Sequence, residues 1–322
     1  MIAMKQNGIR FAKYFTEYRF SHVTAMIKNN RKHPEIHTDE FKDKLVVITG
    51  ATSGIGYLVA RKFASKGANL LCINRNKEKS EKLKQEIETE YKVRFDYFLA
   101  DLSLLSDTHD VADKLSGLDK PIDVLIHNAG VYLTKRELTA DGFEKVFMVH
   151  YLSSFIINYK LRAKLRSQES SRVILVNSEG YRFAAWGLRL DDLNWSKRRY
   201  SGLRSYGSAK LAQLLSMLCF AEYFQDSGVS INAMHPGAVK TETGQDNGRI
   251  YKWYKKNILD RTLKPATISA EAIYYLGASP EVETISGKFF NLTSLEEPAP
   301  PACDHEIAKH LWELSISMGK LD

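Results

Sequence analysis

From residue 41 onward, short apolar runs alternate with longer stretches in which apolar residues recur every three or four positions. Seven runs read as strands: Leu45–Ile48, Leu70–Ile73, Phe95–Leu99, Val124–Ile126, Val173–Val176, Val229–Met234 and Lys288–Asn291. Most are nearly continuous in branched or aromatic residues, the pattern of strands buried on both faces. The stretches between them predict helices over 55–66, 77–90, 142–164, 206–226 and 269–277. Strands alternating with helices make βαβ units, so the expectation is a doubly wound α/β sheet of about seven parallel strands with helices on both faces. Ligands of such sheets sit outside the carboxyl ends of the strands. No internal repeat or low-complexity tract interrupts the order.

Residues 1–40 follow a different pattern. Phe11, Phe15, His22 and Met26 fall with Tyr14 and Tyr18 roughly along one helical stripe, with basic residues between them. Two readings stay open, a helix clasping the core or a partner subunit and a helix lying on an anionic membrane surface. The expected organisation is a helical extension over 1–40 and one domain over 41–322, long enough for a sizeable core.

Charge and cysteine content narrow the function class. The net charge is +8, but the first 37 residues hold seven basic residues against Glu17 and Glu35. The body is therefore only mildly basic, which argues against a nucleic-acid partner. Cys72, Cys219 and Cys303 are odd in number and widely spaced, which fits reduced thiols in a cytoplasmic compartment. His305 and His310 are five apart and miss the spacing that puts two ligands on one helical face, so no metal is expected. No apolar run is long enough to span a membrane.

Chemistry enters directly after the first strand, at Thr49-Gly50-Ala51-Thr52-Ser53-Gly54-Ile55-Gly56. Glycines let the backbone turn tightly and approach a pyrophosphate, and the following helix offers unpaired N–H groups to the charge. The same residues also suit a plain strand-to-helix turn. The second strand ends in Asn74-Arg75, with no acid to accept a ribose hydroxyl and repel a 2′-phosphate. Arg75 can make charge-assisted contacts to such a phosphate, which points to NADP(H), although a solvated surface arginine has the same composition. Tyr206 and Lys210 lie four apart on a predicted helix, so they share a face. A phenol is a poor base at neutral pH, but a neighbouring ammonium and an oxidised nicotinamide both favour phenolate, making Tyr206 a proton donor or acceptor.

The order of these motifs resembles the short-chain dehydrogenase/reductase (SDR) family, with its Rossmann-type fold. The glycine loop matches TGxxxGxG. Asp101, followed by Leu102, stands after the third strand, where the family places an acid against adenine. Asn128-Ala129-Gly130 ends the fourth strand and matches most of NNAG, with His127 in place of the first Asn. Tyr206-Gly207-Ser208-Ala209-Lys210 matches YxxxK, and Pro236-Gly237 with Thr241 matches PGxxxT, which holds the nicotinamide carboxamide. The resemblance implies that Ser178 hydrogen-bonds the substrate oxygen and that Lys210 also holds the nicotinamide ribose. His150 departs from the pattern, since similar sequences usually carry an Asn there that supports a water between Lys210 and solvent. Three outcomes follow: a backbone carbonyl that still holds the water, an added pH-sensitive relay, or a weakened enzyme.

Between Ser178 and Tyr206 lie 27 residues, including Gly187-Leu188-Arg189-Leu190-Asp191-Asp192-Leu193-Asn194-Trp195. This long interval, Glu296-Glu297-Pro298 and the closing Ala308–Ser315 segment are similar to the retinol dehydrogenases and WW-domain-containing oxidoreductases, here without WW domains. A lipophilic carbonyl or alcohol is the implied substrate. A lid is expected over about 242–268, where Tyr251-Lys252-Trp253-Tyr254-Lys255-Lys256 and residues 1–37 offer a peripheral membrane face. SDRs commonly form dimers or tetramers through the Tyr-bearing helix and its neighbour, so a homo-oligomer is a further expectation, which the extension could block. The rival reading is a nucleotide-binding or scaffold protein of the same fold with weakened catalysis.

Overall fold

The computed structural model describes residues 13–19, 24, 26, 28–29, 32–239 and 264–321. The first half of the sheet is built from β1 (Leu45–Thr49), α1 (Gly54–Ala64), β2 (Asn69–Asn74), α2 (Lys77–Tyr91), β3 (Phe95–Leu99), α3 (Leu105–Ser116) and β4 (Val124–His127). A helical turn at Lys145–Phe147 and a π-helical turn at Met148–Leu152 lead into α4 (Ser153–Arg166). Then come β5 (Ser171–Val176), α5 (Gly202–Tyr223), β6 (Val229–His235), α6 (Thr267–Ala278), β7 (Phe289–Asn291), β8 (Ser294–Glu296) and α7 (His305–Gly319). The strand order is β3-β2-β1-β4-β5-β6-β7-β8. β1 to β7 run parallel and β8 turns back antiparallel on β7.

All seven expected strands are present, and two-sided burial explains why the inner ones read so clearly, whereas β3 at the sheet edge is only partly buried. Along β1, Val46 and Ile48 enter the layer with Val59 and Phe63 of α1 and Ile273 of α6, while Val47 enters the opposite layer with Val111 of α3, Phe155 of α4 and Leu211 of α5. β8 escaped the sequence reading because its three residues carry one apolar side chain, Leu295, and that one is exposed. The chain reverses direction of growth between β1 and β4, so the crevice above their carboxyl ends is the switch point of the sheet.

Two helices differ from expectation. The predicted helix over 142–164 begins at Lys145 and passes through the π turn, whose loosened carbonyls find side-chain donors: Ser153 Oγ to Val149 O at 2.9 Å and Ser154 Oγ to Tyr151 O at 2.8 Å. α5 starts at Gly202, four residues before Tyr206. A Cβ at Gly202 would lie 2.4 Å from the carbonyl of Leu133, so this glycine serves close approach within a helix rather than a break.

The last helix covers the α4–α5 surface. Trp312 of α7 stands edge-on to Phe155 and Phe220 at 5.0 and 4.6 Å, and the Tyr151 hydroxyl pairs with Ser315 Oγ at 2.6 Å. α7 thus occupies part of the face that the family resemblance offers for subunit contact. At the N-terminus, residues 13–15 are helical, 16 and 17 form a turn, and 18 and 19 are not helical, so the aromatic stripe is not one continuous helix. Its described residues clasp the domain: Tyr14 donates to Asp304 at 2.6 Å, Tyr18 to the carbonyl of Ala185 at 2.9 Å, and Asn29 to Glu296 at 2.9 Å. Phe15 remains exposed. Residues 240–263 lie outside the described residues, and with them Thr241, the segment 251–256 and most of the expected lid. No described helix is long and apolar enough to cross a membrane.

Candidate active site

A cavity of about 540 Å³ lies above the carboxyl ends of the strands. Gly50 and Gly54 sit at φ +71° and +57°, a region that favours glycine, and carry the chain from β1 into α1. Gly50, Thr52, Ser53, Gly54 and Ile55 line the cavity. Gly56 does not line it. A Cβ there would meet Gly50 O at 2.1 Å and Asn128 Nδ2 at 2.4 Å, so Gly56 lets α1 approach the loop and the end of β4. Asn128 clamps the same loop, donating to Thr49 O at 3.1 Å and Gly50 O at 2.9 Å. Gly56→Ala should therefore destabilise the fold by about 1–3 kcal/mol through overpacking. Thermal unfolding measures it, and an unchanged Tm would show that the loop gives way freely.

The end predicted for adenosine is held by β2 and β3. Asn74 Oδ1 accepts from Ala51 N at 2.9 Å, and Asn74 Nδ2 is buried with no protein acceptor. Asp101 is fixed by Ser103 N donating to its Oδ1 at 2.9 Å, and Leu102 lines the wall beside it. Arg75 is exposed at the rim. Lys79, which the sequence reading passed over, lines the same region from the first turn of α2, where Asn76 accepts its N–H at 2.8 Å as the cap. Among the described residues lining the cavity, Arg75, Lys79, Lys145 and Lys210 face one carboxylate, Asp101. That balance, the glycine loop and the unpaired Asn74 donor fit an anionic dinucleotide.

At the other end stand Ser178, Tyr206 and Lys210, brought together from the end of β5 and from α5. The Ser178 hydroxyl stands beside the Tyr206 phenol and accepts from Gly180 N at 3.0 Å. A Cβ on Gly180 would lie 2.7 Å from the Tyr206 ring, so Gly180 is a further residue that seats the tyrosine. Burial pushes the phenol above its ordinary value, against the opposing pull of Ser178. It is thus held neutral, the form that donates a proton, rather than poised as phenolate. The Lys210 ammonium is 6.0 Å from the Tyr206 ring centre and donates to Val176 O at 2.6 Å. Burial lowers Lys210 to about 7. Ala129, Gly130, Pro236 and Gly237 complete the wall between the two ends, with Val131, Val149 and Val239 as apolar neighbours.

The His150 ring fills the space beside Gly130, where a Cβ would meet its Cε1 at 2.3 Å, and stands edge-on to Tyr206 at 5.3 Å. Its Nε2 lies 2.7 Å from Val131 O and 3.0 Å from Val131 N. Burial drives His150 well below its ordinary value, with the Lys210 charge acting in the same direction. Burial and the Lys210 charge thus both favour the neutral ring, which argues against a titrating relay through it. Behind it, His127 pairs with Asn158 at 2.8 Å.

The long interval before Tyr206 does not line the cavity. Leu188 and Trp195 are buried in the body, Asp192 accepts from Ser196 N and Lys197 N at 2.7 and 3.0 Å, and Asn194 accepts from Glu144 N at 2.9 Å. This segment braces the loop before the π turn. Among the described residues no group of three or more side chains could hold a metal ion.

A short chain dehydrogenase family pattern matches residues 44–187. Human Retinol dehydrogenase 13 is 33% identical over 286 residues, which cover 87% of this chain and 85% of that one. The chain belongs to the short-chain dehydrogenase/reductase family. Within it, the retinol dehydrogenase-like subgroup also includes the WW domain-containing oxidoreductase of Danio rerio, 32% identical over 87% of this chain and 69% of that one. A solved structure of an uncharacterized protein from Mycobacterium Paratuberculosis superposes with a TM-score of 0.69 at 27% identity, covering 88% of this chain and 95% of that one. This SDR is an oxidoreductase of the dehydrogenase/reductase type, and its family uses nicotinamide dinucleotides.

Proposed function

We propose that this SDR reduces a lipophilic carbonyl, or oxidises the corresponding alcohol, with NADP(H). The observation that carries the reading is the meeting of Ser178, Tyr206 and buried Lys210 in the lining of the cavity that the glycine loop opens. Bound nicotinamide supplies or takes the hydride. In reduction, Ser178 and Tyr206 hold the carbonyl oxygen, and the neutral Tyr206 phenol gives it a proton as hydride reaches the carbon. The product is an alcohol and the phenolate recovers its proton from solvent. Lys210 holds the ribose and stabilises that phenolate.

A lipophilic substrate is supported by the apolar side chains of Val131, Val149 and Val239 in the lining of the cavity. The relatives named as retinol dehydrogenases point the same way. NADPH consumption against aldehydes, ketosteroids and small ketones, with Tyr206→Phe as the blank, tests the proposal. NADPH binding with no turnover anywhere in the panel would instead support the scaffold reading.

Arg75 and Lys79 favour a 2′-phosphate, since each adds a charge-assisted contact worth about 1.5–3 kcal/mol. Arg75→Glu should lower kcat/KM for NADPH about 100-fold and leave NADH within a few-fold. Wild-type preference for NADH would sink the assignment.

A further inference from the structure

Gln213 lies on α5 three residues after Lys210, so the two side chains share a face, and both are buried, at 2% and 4% exposure. Its Nε2 donates to the backbone carbonyl of His150 at 3.2 Å. Its Oε1 accepts from Asn177 Nδ2 at 2.9 Å and from Lys210 Nζ at 3.5 Å. The partners decide the orientation of the amide, because a carbonyl needs the NH₂ end and two donors need the oxygen. Asn177 extends the link, donating to Lys210 O at 2.9 Å and accepting from Ser178 N at 2.8 Å. One amide therefore ties the end of β5, the helix that bears Tyr206, and the π turn.

The carbonyl of His150 accepts from Gln213 Nε2, while the single hydrogen of Ser154 Oγ, 3.3 Å away, is better placed on Tyr151 O at 2.8 Å. We propose that Gln213 is a positioning residue: its amide fixes Lys210 against the end of β5 and the π turn. The catalytic meaning of that role rests on the function proposed above. Of the three ammonium hydrogens, one meets Val176 O and one Gln213 Oε1, which leaves the third for the cavity.

The titratable groups facing Lys210 are His127 from β4, His150 from the π turn and Tyr206 from its own helix. Both imidazoles are driven toward the neutral form. The ammonium is thus supported by neutral oxygens, and Gln213 Oε1 is one of two. Replacing that oxygen by an apolar group should lower the Lys210 pKa, and replacing the amide by a carboxylate should raise it.

The test is Gln213→Leu and Gln213→Glu in [13Cε]lysine-labelled protein without cofactor, titrated by NMR, with Lys210→Arg to assign the resonance. Displacements of about one pH unit in opposite directions are expected, since a hydrogen bond to a charged group is worth about 1.5–3 kcal/mol and this one is long. A residue that only fills space would move Lys210 the same way in both variants or not at all, and that result overturns the proposal. Gln213→Met serves if the Leu variant fails to fold. Opposite NMR shifts with no NADPH turnover would retain the positioning role and remove the proposed activity. Turnover with no such shifts would do the reverse.

Discussion

Tyr206→Phe should lower kcat about 10³-fold while NADPH binds within a few-fold of the wild type. The substitution removes one oxygen and keeps the ring, so the packing on Gly180 and the edge contact with His150 survive. What disappears is the phenol O–H, the proposed proton donor beside Ser178. Lys210 keeps its bond to Val176 O, so the ribose end of the site should be unaffected. Steady-state kinetics with a responding carbonyl, together with NADPH fluorescence titration, separate chemistry from binding. A kcat within tenfold of the wild type would show that the proton comes from another group.

His127→Asn should make the protein markedly less sensitive to acid. The His127 ring is 4% exposed, and burial lowers it to about 4, with the Lys210 charge adding to the effect and the Asn158 hydrogen bond opposing it. The unfolded chain binds a proton on this ring near pH 6.5, whereas the folded chain binds one only near pH 4. Its share of stability is therefore complete above pH 6.5 and is lost progressively as the pH falls toward 4. At pH 5 the loss from this one ring is about 2 kcal/mol. Asn has no such titration. His150 and His235 act in the same sense, while Glu179, raised by burial to about 7, acts oppositely. Those groups cancel when variant and wild type are compared at each pH. Denaturant unfolding at pH 7.5 and pH 5 should show the variant gaining about 2 kcal/mol relative to the wild type on acidification. Parallel stability curves would place the proton on another group.

Much of the site could be read before any coordinates because its parts are local. Strands buried on two faces must be apolar almost without interruption, so inner strands such as β1 and β4 announced themselves. The turn from β1 into α1 needs glycine where φ is positive, and Tyr206 and Lys210 share a helical face by their spacing alone. Family order then assigned Ser178. The N-terminal stripe misled because periodicity records which residues are apolar, not whether the backbone stays helical between Phe15 and Tyr18. The long interval before Tyr206 carried the subgroup resemblance, but where its apolar residues go was not legible: Leu188 and Trp195 serve the body, and that depends on which surface the segment meets.

Helical and strand periodicity, turn chemistry and motif spacing depend on neighbours along the chain, and these alone required a doubly wound sheet with Tyr206 and Lys210 at its mouth. Which acceptors surround Lys210, which imidazoles stay neutral and what occupies the carbonyl of His150 depend on atoms brought together across tens of residues. Gln213 carries no motif, and only the meeting of α5, the π turn and the end of β5 gives its amide three partners. Desolvation is likewise a property of the assembled core, so the lowered Lys210 and the neutral His150 arise when those elements close over them.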